Sequence, residues 1–184
     1  MSTPHVALLR GVNVGPSKRI AMADLRAIAE GLGHTRVRTL LNSGNLVFEA
    51  PPRPDHAERL EAALGAQHGL KSRVTVLTAD QLAAAAGENP FHHEALNSPS
   101  KLLVTFPRTP ESLARLGLLT GRDWTPEGLA VGGHAAFSWH PDGLSGGVLA
   151  EALDRAGKGD VTARNWATVL KLQAACAVAT GSAA

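Results

Sequence analysis

The feature that most constrains this chain is its first apolar run and the way that run stops. Val6-Ala7-Leu8-Leu9 is continuously apolar, as in a strand covered on both faces, and it breaks directly into Arg10-Gly11-Val12-Asn13-Val14-Gly15. Glycines spaced through a loop allow left-handed backbone and close approach of main chain to a neighbour, here beside a charged and an amide side chain. The loop reads as half of a site. The other half is Asn42-Ser43-Gly44-Asn45, a turn after the second apolar stretch.

Downstream, the hydrophobic spacing changes between periods. Met22, Leu25, Ile28, Ala29 and Leu32 repeat at helical spacing, with Gly33 placed as the residue that ends the helix. Arg36–Leu41 alternates, with Val37, Thr39 and Leu41 on one face, and Asn45–Glu49 continues as a strand after the turn. Pro51-Pro52 interrupts it; Asp55–Gln67 reads as a helix through Leu60 and Leu64; Arg73–Leu77 is a β-branched strand. The order β-α-β-β-α-β is that of a ferredoxin-like unit over residues 1–78. In that topology the strand order is 4-1-3-2, which places the end of strand one, the turn before strand three and the approach to the first helix on one rim. Arg10–Gly15, Asn42–Asn45 and Lys18-Arg19-Ile20 are expected to meet there.

Residues 79–184 read as a second α/β subdomain. Thr78 and Gln81 have capping-box spacing for a short helix, Asn89-Pro90-Phe91 ends it with Phe91 docked on the core, and 92–100 reads as a polar loop. Lys101–Phe106 is an apolar strand, and Thr109-Pro110 opens a helix. Short strands are expected at Arg122–Thr125, Leu129–Val131 and Ala135–Trp139, then a helix over Val148–Arg155. A last helix is expected from a Thr162 cap to about Ala177, with Trp166, Val169, Leu170 and Ala174 as its apolar stripe and Arg164, Thr168 and Lys171 along another face. The whole is an α/β (α+β) chain of two consecutive ferredoxin-like subdomains with antiparallel or mixed sheets and a C-terminal helix.

Composition narrows the function. The chain has 184 residues, 44% hydrophobic and 18% charged, enough to bury a core. Residues 1–78 hold ten Lys and Arg against six Asp and Glu, and residues 79–184 hold eight against ten, so the first part is the better seat for an anion. Aromatics make up only 4%, and the strands VALLRG and NLVFEA lack the paired rings that stack bases, which argues against the RNA-recognition mode of this fold. The single cysteine, Cys176, allows no internal disulfide and reads as a small buried apolar residue. No signal-peptide pattern and no run of about 18 apolar residues is seen, so a cytoplasmic protein with no membrane association is expected. The eight histidines are scattered, the only cluster being His92-His93-Glu94 without metal-ligand spacing, and the dinucleotide, P-loop and G-x-S-x-G fingerprints are absent. No metal or cofactor is expected.

ALLRGVNVG, VRTLLNSGNLVF, Asn89-Pro90-Phe91 and TARNWATVLKL, in this order, resemble the bacterial domain of unknown function 1697 family. The resemblance implies an α/β fold of two ferredoxin-like subdomains and no established activity. The motif positions it carries over are Arg10, Gly11, Asn13, Gly15, Ser43, Gly44, Asn45, Arg164, Asn165, Trp166 and Lys171; Lys18 joins them on charge and position. Three readings follow. The first is binding of a phosphate- or carboxylate-bearing small molecule, or of nucleic-acid backbone, at the rim. The second is a structural role, the motifs holding the subdomains together. The third is an enzyme on a phosphorylated small molecule, for which these motifs supply no carboxylate or imidazole as general base.

Overall fold

The computed structural model describes residues 1–15, 18–144 and 147–180. The chain divides into two compact units, one of Met1–Leu82 with Lys171–Ala184 and one of Ala83–Leu170.

In the first unit, β1 (Thr3–Leu9), α1 (Met22–Gly31), β2 (Thr35–Leu40), β3 (Asn45–Ala50), α2 (His56–His68) and β4 (Val74–Thr78) follow the β-α-β-β-α-β order. All ladders are antiparallel and the sheet order is β2-β3-β1-β4, the ferredoxin-like arrangement. Val6, Ala7, Leu8 and Leu9 are all fully buried, which is why β1 carries no polar alternation. Ala7, Leu9, Leu46 and Phe48 share a core with Leu25 and Ile28 of α1 and Leu60 and Leu64 of α2. Gly33, at φ +86°, and Gly69, at φ +61°, end α1 and α2 in left-handed backbone. The alternation expected along β2 is broken: its register shifts between Thr35 and Arg38, and Arg36 takes φ +49°. A bulge of this kind inserts one extra residue into the strand and re-aims those beside it.

In the second unit, β5 (Leu102–Pro107), α5 (Pro110–Gly117), β6 (Gly128–Val131), β7 (Ala136–Trp139), α6 (Val148–Gly157) and β8 (Val161–Asn165) repeat that order, with sheet order β6-β7-β5-β8. α3 (Ala79–Gly87) and α4 (His92–Asn97) precede it, and α7 (Trp166–Thr180) follows. The reciprocal Thr78–Gln81 bonds that open α3 and the Thr109–Ser112 box that opens α5 are as the spacing predicts. Phe91 packs its ring on Gly128, where a Cβ would lie 3.0 Å from the ring.

Three expectations are corrected. Residues 92–97 form a helical turn rather than an open loop, and 122–125 form no strand. Val161–Asn165 is a strand, so Thr162 caps nothing: it pairs with Phe106 across β5 and β8. β8 is the fourth strand of the sheet, and covering the free edge of β5 outweighs the local tendency of Thr-Ala-Arg-Asn to start a helix. The helix begins one residue after Asn165, whose Oδ1 accepts from the Thr168 N–H at 2.9 Å as an N-cap. Arg164 therefore lies outside the helix, and the buried stripe of α7 is Val169, Leu172 and Cys176; Leu170 and Ala174 are exposed. Cys176 is buried, as expected, and burial raises its thiol to about 11. No helix among the described residues is long and apolar enough to cross a membrane.

Gly44 is the tightest point of the first unit. It sits at φ +75°, and a Cβ there would lie 2.8 Å from Leu9 Cβ and closer still to Val12 Cγ2. Gly44→Ala combines a left-handed alanine with a collision against two buried side chains, and is expected to cost about 2–4 kcal/mol in urea unfolding. Gly65→Ala, on an α2 face where a Cβ meets nothing, should not destabilise.

Candidate functional site

Strand order alone puts the Arg10–Gly15 loop beside the Leu41–Asn45 turn, and hydrogen bonds hold them there. The Leu9 N–H donates to Gly44 O at 2.9 Å, and Leu8 pairs with Asn45. Asn13 is the staple. Its Nδ2 donates to Ile20 O at 3.0 Å and to Asn42 O at 2.7 Å, its Oδ1 accepts from the Ile20 N–H at 3.0 Å, and its own N–H donates to Lys18 O at 2.6 Å. One amide thus joins the loop, the turn and the approach to α1. Asn45, fully buried, does similar work inside the turn, its Nδ2 donating to Leu40 O at 2.8 Å and Ser43 Oγ at 2.9 Å. Both asparagines act as scaffold in this arrangement, since their donors already serve the protein.

Around that scaffold the loop backbone alternates in hand. Gly11, Asn13 and Gly15 take φ of +64°, +56° and +79°, whereas Val12 and Val14 between them do not. Alternation of hand is one feature of backbone anion nests, and here the central N–H, that of Asn13, is given to Lys18 O. Among the described residues, no hydrogen bond engages the N–H of Gly11, Val12, Val14 or Gly15. The Arg10 N–H donates to Arg73 O at 2.9 Å and its carbonyl accepts from Ser72 Oγ at 2.9 Å, which fixes where the side chain leaves the strand; that side chain is half-buried. Lys18 is exposed, and Arg19 donates to Gly15 O at 3.4 Å. Leu41, at φ +59°, and Val14 are exposed apolar residues on the same segments.

The remaining motif residues divide between the units. Arg164, Asn165 and Trp166 belong to the second and Lys171 to the first. Arg164 is 9% exposed, donates from Nη1 to Ala163 O at 2.8 Å, and is lowered by burial to about 10. Asn165 is spent on the α7 cap, Trp166 is half-buried at the first turn, and Lys171 is exposed.

Sequence reading missed three clusters, because each draws at least one member from a separate element or loop and none has a local signature. In the second unit, Ser138 Oγ lies 2.8 Å from His140 Nε2, and His140 Nδ1 lies 2.5 Å from Glu127 Oε1. The other oxygen, Glu127 Oε2, accepts from the Leu149 N–H at 3.0 Å. The distances match an acyl-transfer relay, but Ser138 and His140 have no exposed surface, so no substrate carbonyl reaches the hydroxyl. The cluster is a buried clamp joining β7 to the start of α6. In the same unit Glu88 binds the β6–β7 turn: its carboxylate accepts from the His134 N–H at 3.0 Å, the His134 ring at 2.5 Å and the Gly133 N–H.

The third cluster is in the first unit. His5 stacks on Phe48 with centroids 5.4 Å apart, His34 stacks on it at 4.2 Å, and His56 meets all three rings edge-on. His56 Nε2 donates to Pro51 O at 3.0 Å, so its bare Nδ1 accepts from His34 Nε2 at 3.2 Å. That leaves the proton-free His34 Nδ1 buried without a partner among the described residues. Burial, then the neighbouring His56, Arg59 and His5, lowers His34 to about 4; burial likewise lowers His5. Among the described residues no three His, Cys, Asp or Glu side chains gather to hold a metal.

An imidazole held below its unfolded pKa is protonated first in the unfolded chain, so stability is present above about pH 6.5 and falls as pH drops toward 4. For His34 the loss is on the order of 2 kcal/mol. Urea midpoints at pH 7 and pH 5 should differ less for His34→Leu than for the wild type.

Among solved structures, the chain is similar to the conserved bacterial protein SP0830 from Streptococcus pneumoniae, with 20% identity, a TM-score of 0.74, and coverage of 96% of this chain and 99% of that one. At that identity the likeness shows a shared fold. A comparison with curated proteins finds no match. The family model described as protein of unknown function, DUF1697, matches residues 1–137, with the rim loop, the NSGN turn and both first strands inside the match, and the chain belongs to that family.

Proposed function

We propose that this protein binds an anionic ligand, phosphate- or carboxylate-bearing, at the rim where the Arg10–Gly15 loop meets the Leu41–Asn45 turn. The observation that carries the reading is the alternating backbone of Gly11–Gly15, whose unengaged N–H groups lie between Arg10 and Lys18 in the chain. A nest supplies fixed partial positive charge, and the two cations add to it in the part of the chain richest in Lys and Arg. Gly11 and Gly15 make the loop conformation cheap, Asn13 ties it to its neighbours, and Gly44 lets the turn come close. The roles assigned to Ser43, Gly44 and Asn45 are positional, and Arg164, Asn165, Trp166 and Lys171 are motif residues without an assigned contact to the ligand. The segments that meet at the rim, Arg10–Gly15, Lys18–Ile20 and Leu41–Asn45, contribute no carboxylate or imidazole, so binding rather than catalysis is the function assigned.

The structural alternative draws on one observation as well: Asn13 and Asn45 are fully used inside the protein. Calorimetric titration separates the two. Inorganic phosphate and nucleoside monophosphates should bind the wild type, and Arg10→Ala or Lys18→Ala should each weaken binding by about tenfold, with the unfolding midpoint of Lys18→Ala unchanged. Affinity for a single-stranded oligonucleotide that falls steeply with salt would identify nucleic-acid backbone as the ligand. If no anion binds the wild type, the structural reading stands and the binding one falls.

A further inference from the structure

The chain of imidazoles in the first unit has a direction. Pro51 O can only accept, so His56 Nε2 donates to it at 3.0 Å, and the bare His56 Nδ1 takes a proton from His34 Nε2 at 3.2 Å. His5 donates from Nδ1 to Thr3 O at 2.8 Å. The chain is complete with one proton on each ring and has no place for another. A proton added at His56 Nδ1 sets two donors against each other. One added at His34 Nδ1 buries a charged donor that has no acceptor among the described residues.

The surroundings offer that extra charge nothing. Among the described residues no hydrogen bond or ion pair joins the three rings to a carboxylate. The charges that reach His34 are His56 and Arg59 from α2 and His5 from β1, and each opposes a further positive one. The acids of the neighbouring elements are placed elsewhere. Glu30 of α1 pairs with Arg26, and Asp55, ahead of α2, pairs with Arg53. Glu49 of β3 follows Phe48, so it points to the opposite face of the sheet, and it pairs with Arg36. Asp24 and Glu58 are exposed, and Glu61 serves the Val74 N–H and Arg73.

What the chain holds is the least anchored strand of the unit. β2 is at the edge of its sheet, and none of its six side chains is buried. Just ahead of it, the segment Leu32–His34 is tied to α2 by Arg59 Nη2, which donates to Leu32 O at 3.1 Å, and by His34 itself. His34 is 5% exposed and stacks on Phe48, so it is the buried anchor of this segment. Past the bulge, Arg38, Thr39 and Leu40 pair with β3 independently.

We propose that the three histidines form an acid-released latch: protonation frees Leu32–Val37, the connection from α1 and the first half of β2, while β3, β1, β4 and the hairpin beyond the bulge stay folded. The inference does not depend on what the rim binds. A freed His34 ring meets water and regains an ordinary value of about 6.5, against about 4 in place, so release is favoured as pH falls below about 6.5 and gains nothing further below about 4.

Native-state amide exchange of the full chain, read by NMR at pH 7 and pH 5 with and without low urea, tests this. After correction for intrinsic rates, protection of the His34 amide, which donates to Ala29 O, is expected to fall on the order of tenfold from pH 7 to pH 5, with almost no urea dependence. Val6–Leu8, Thr39 and Leu46 are expected to exchange more slowly and with a full urea slope. Long-range ¹H–¹⁵N spectra at pH 7 are expected to show neutral Nε2–H rings at His34 and His56. His34→Phe keeps a ring against Phe48 and should abolish the pH dependence of exchange at residue 34. A His34 amide that matches Val6–Leu8 in rate and urea slope overturns the latch, because the strand then leaves only on global unfolding. Protection unchanged between pH 7 and pH 5, a charged His34 at pH 7, or an undiminished pH dependence in His34→Phe overturns it as well. If His34→Phe does not fold, the wild-type exchange and ring spectra decide.

Discussion

The close approach of Gly44 to Leu9 and Val12 is the constraint on which the first unit depends. Without a side chain at 44, the hairpin turn can sit against the end of β1 and accept the Leu9 N–H, and β3 can then pair with β1 along its length. That pairing centres β1 between β3 and β4, buries Val6–Leu9 on both faces, and delivers Arg10 to the sheet edge at a fixed point. The Asn13 amide continues the same logic, joining three segments through neutral hydrogen bonds where a charged group would compete with a bound anion. The scaffold residues of the rim are satisfied by hydrogen bonds within the protein.

The two units reach the same topology with different polar solutions. The second spends its carboxylates internally: Glu127 holds His140 and the start of α6, and Glu88 holds the β6–β7 turn. The first buries three imidazoles around Phe48 instead. Repetition of a fold therefore does not repeat a site.

Much of this was legible residue by residue. Val6–Leu9 announced a doubly covered strand, Gly33 and Gly69 announced helix ends, and Thr109-Pro110 announced a helix start, because each depends on local conformational preference. Thr162–Asn165 was misread because its local preference for a helix start was overridden by a strand partner, Thr105–Phe106, more than fifty residues away. The histidines were invisible as a cluster for the same reason: His5, His34 and His56 belong to β1, the lead into β2 and the start of α2, and only the folded sheet places them around one phenylalanine.

The sequence by itself determined the order of elements, the glycines that permit the rim, and the family to which the chain belongs, since these follow from periodicity, backbone freedom and motif identity. Tertiary structure alone decided which polar groups are consumed and which remain. Asn13 and Asn45 turned out to be staples, Asn165 a cap, and Glu88 the occupant of a turn forty-six residues away from it. Hydrogen-bond satisfaction is a property of contacts between distant segments, and no spacing along a single chain encodes it.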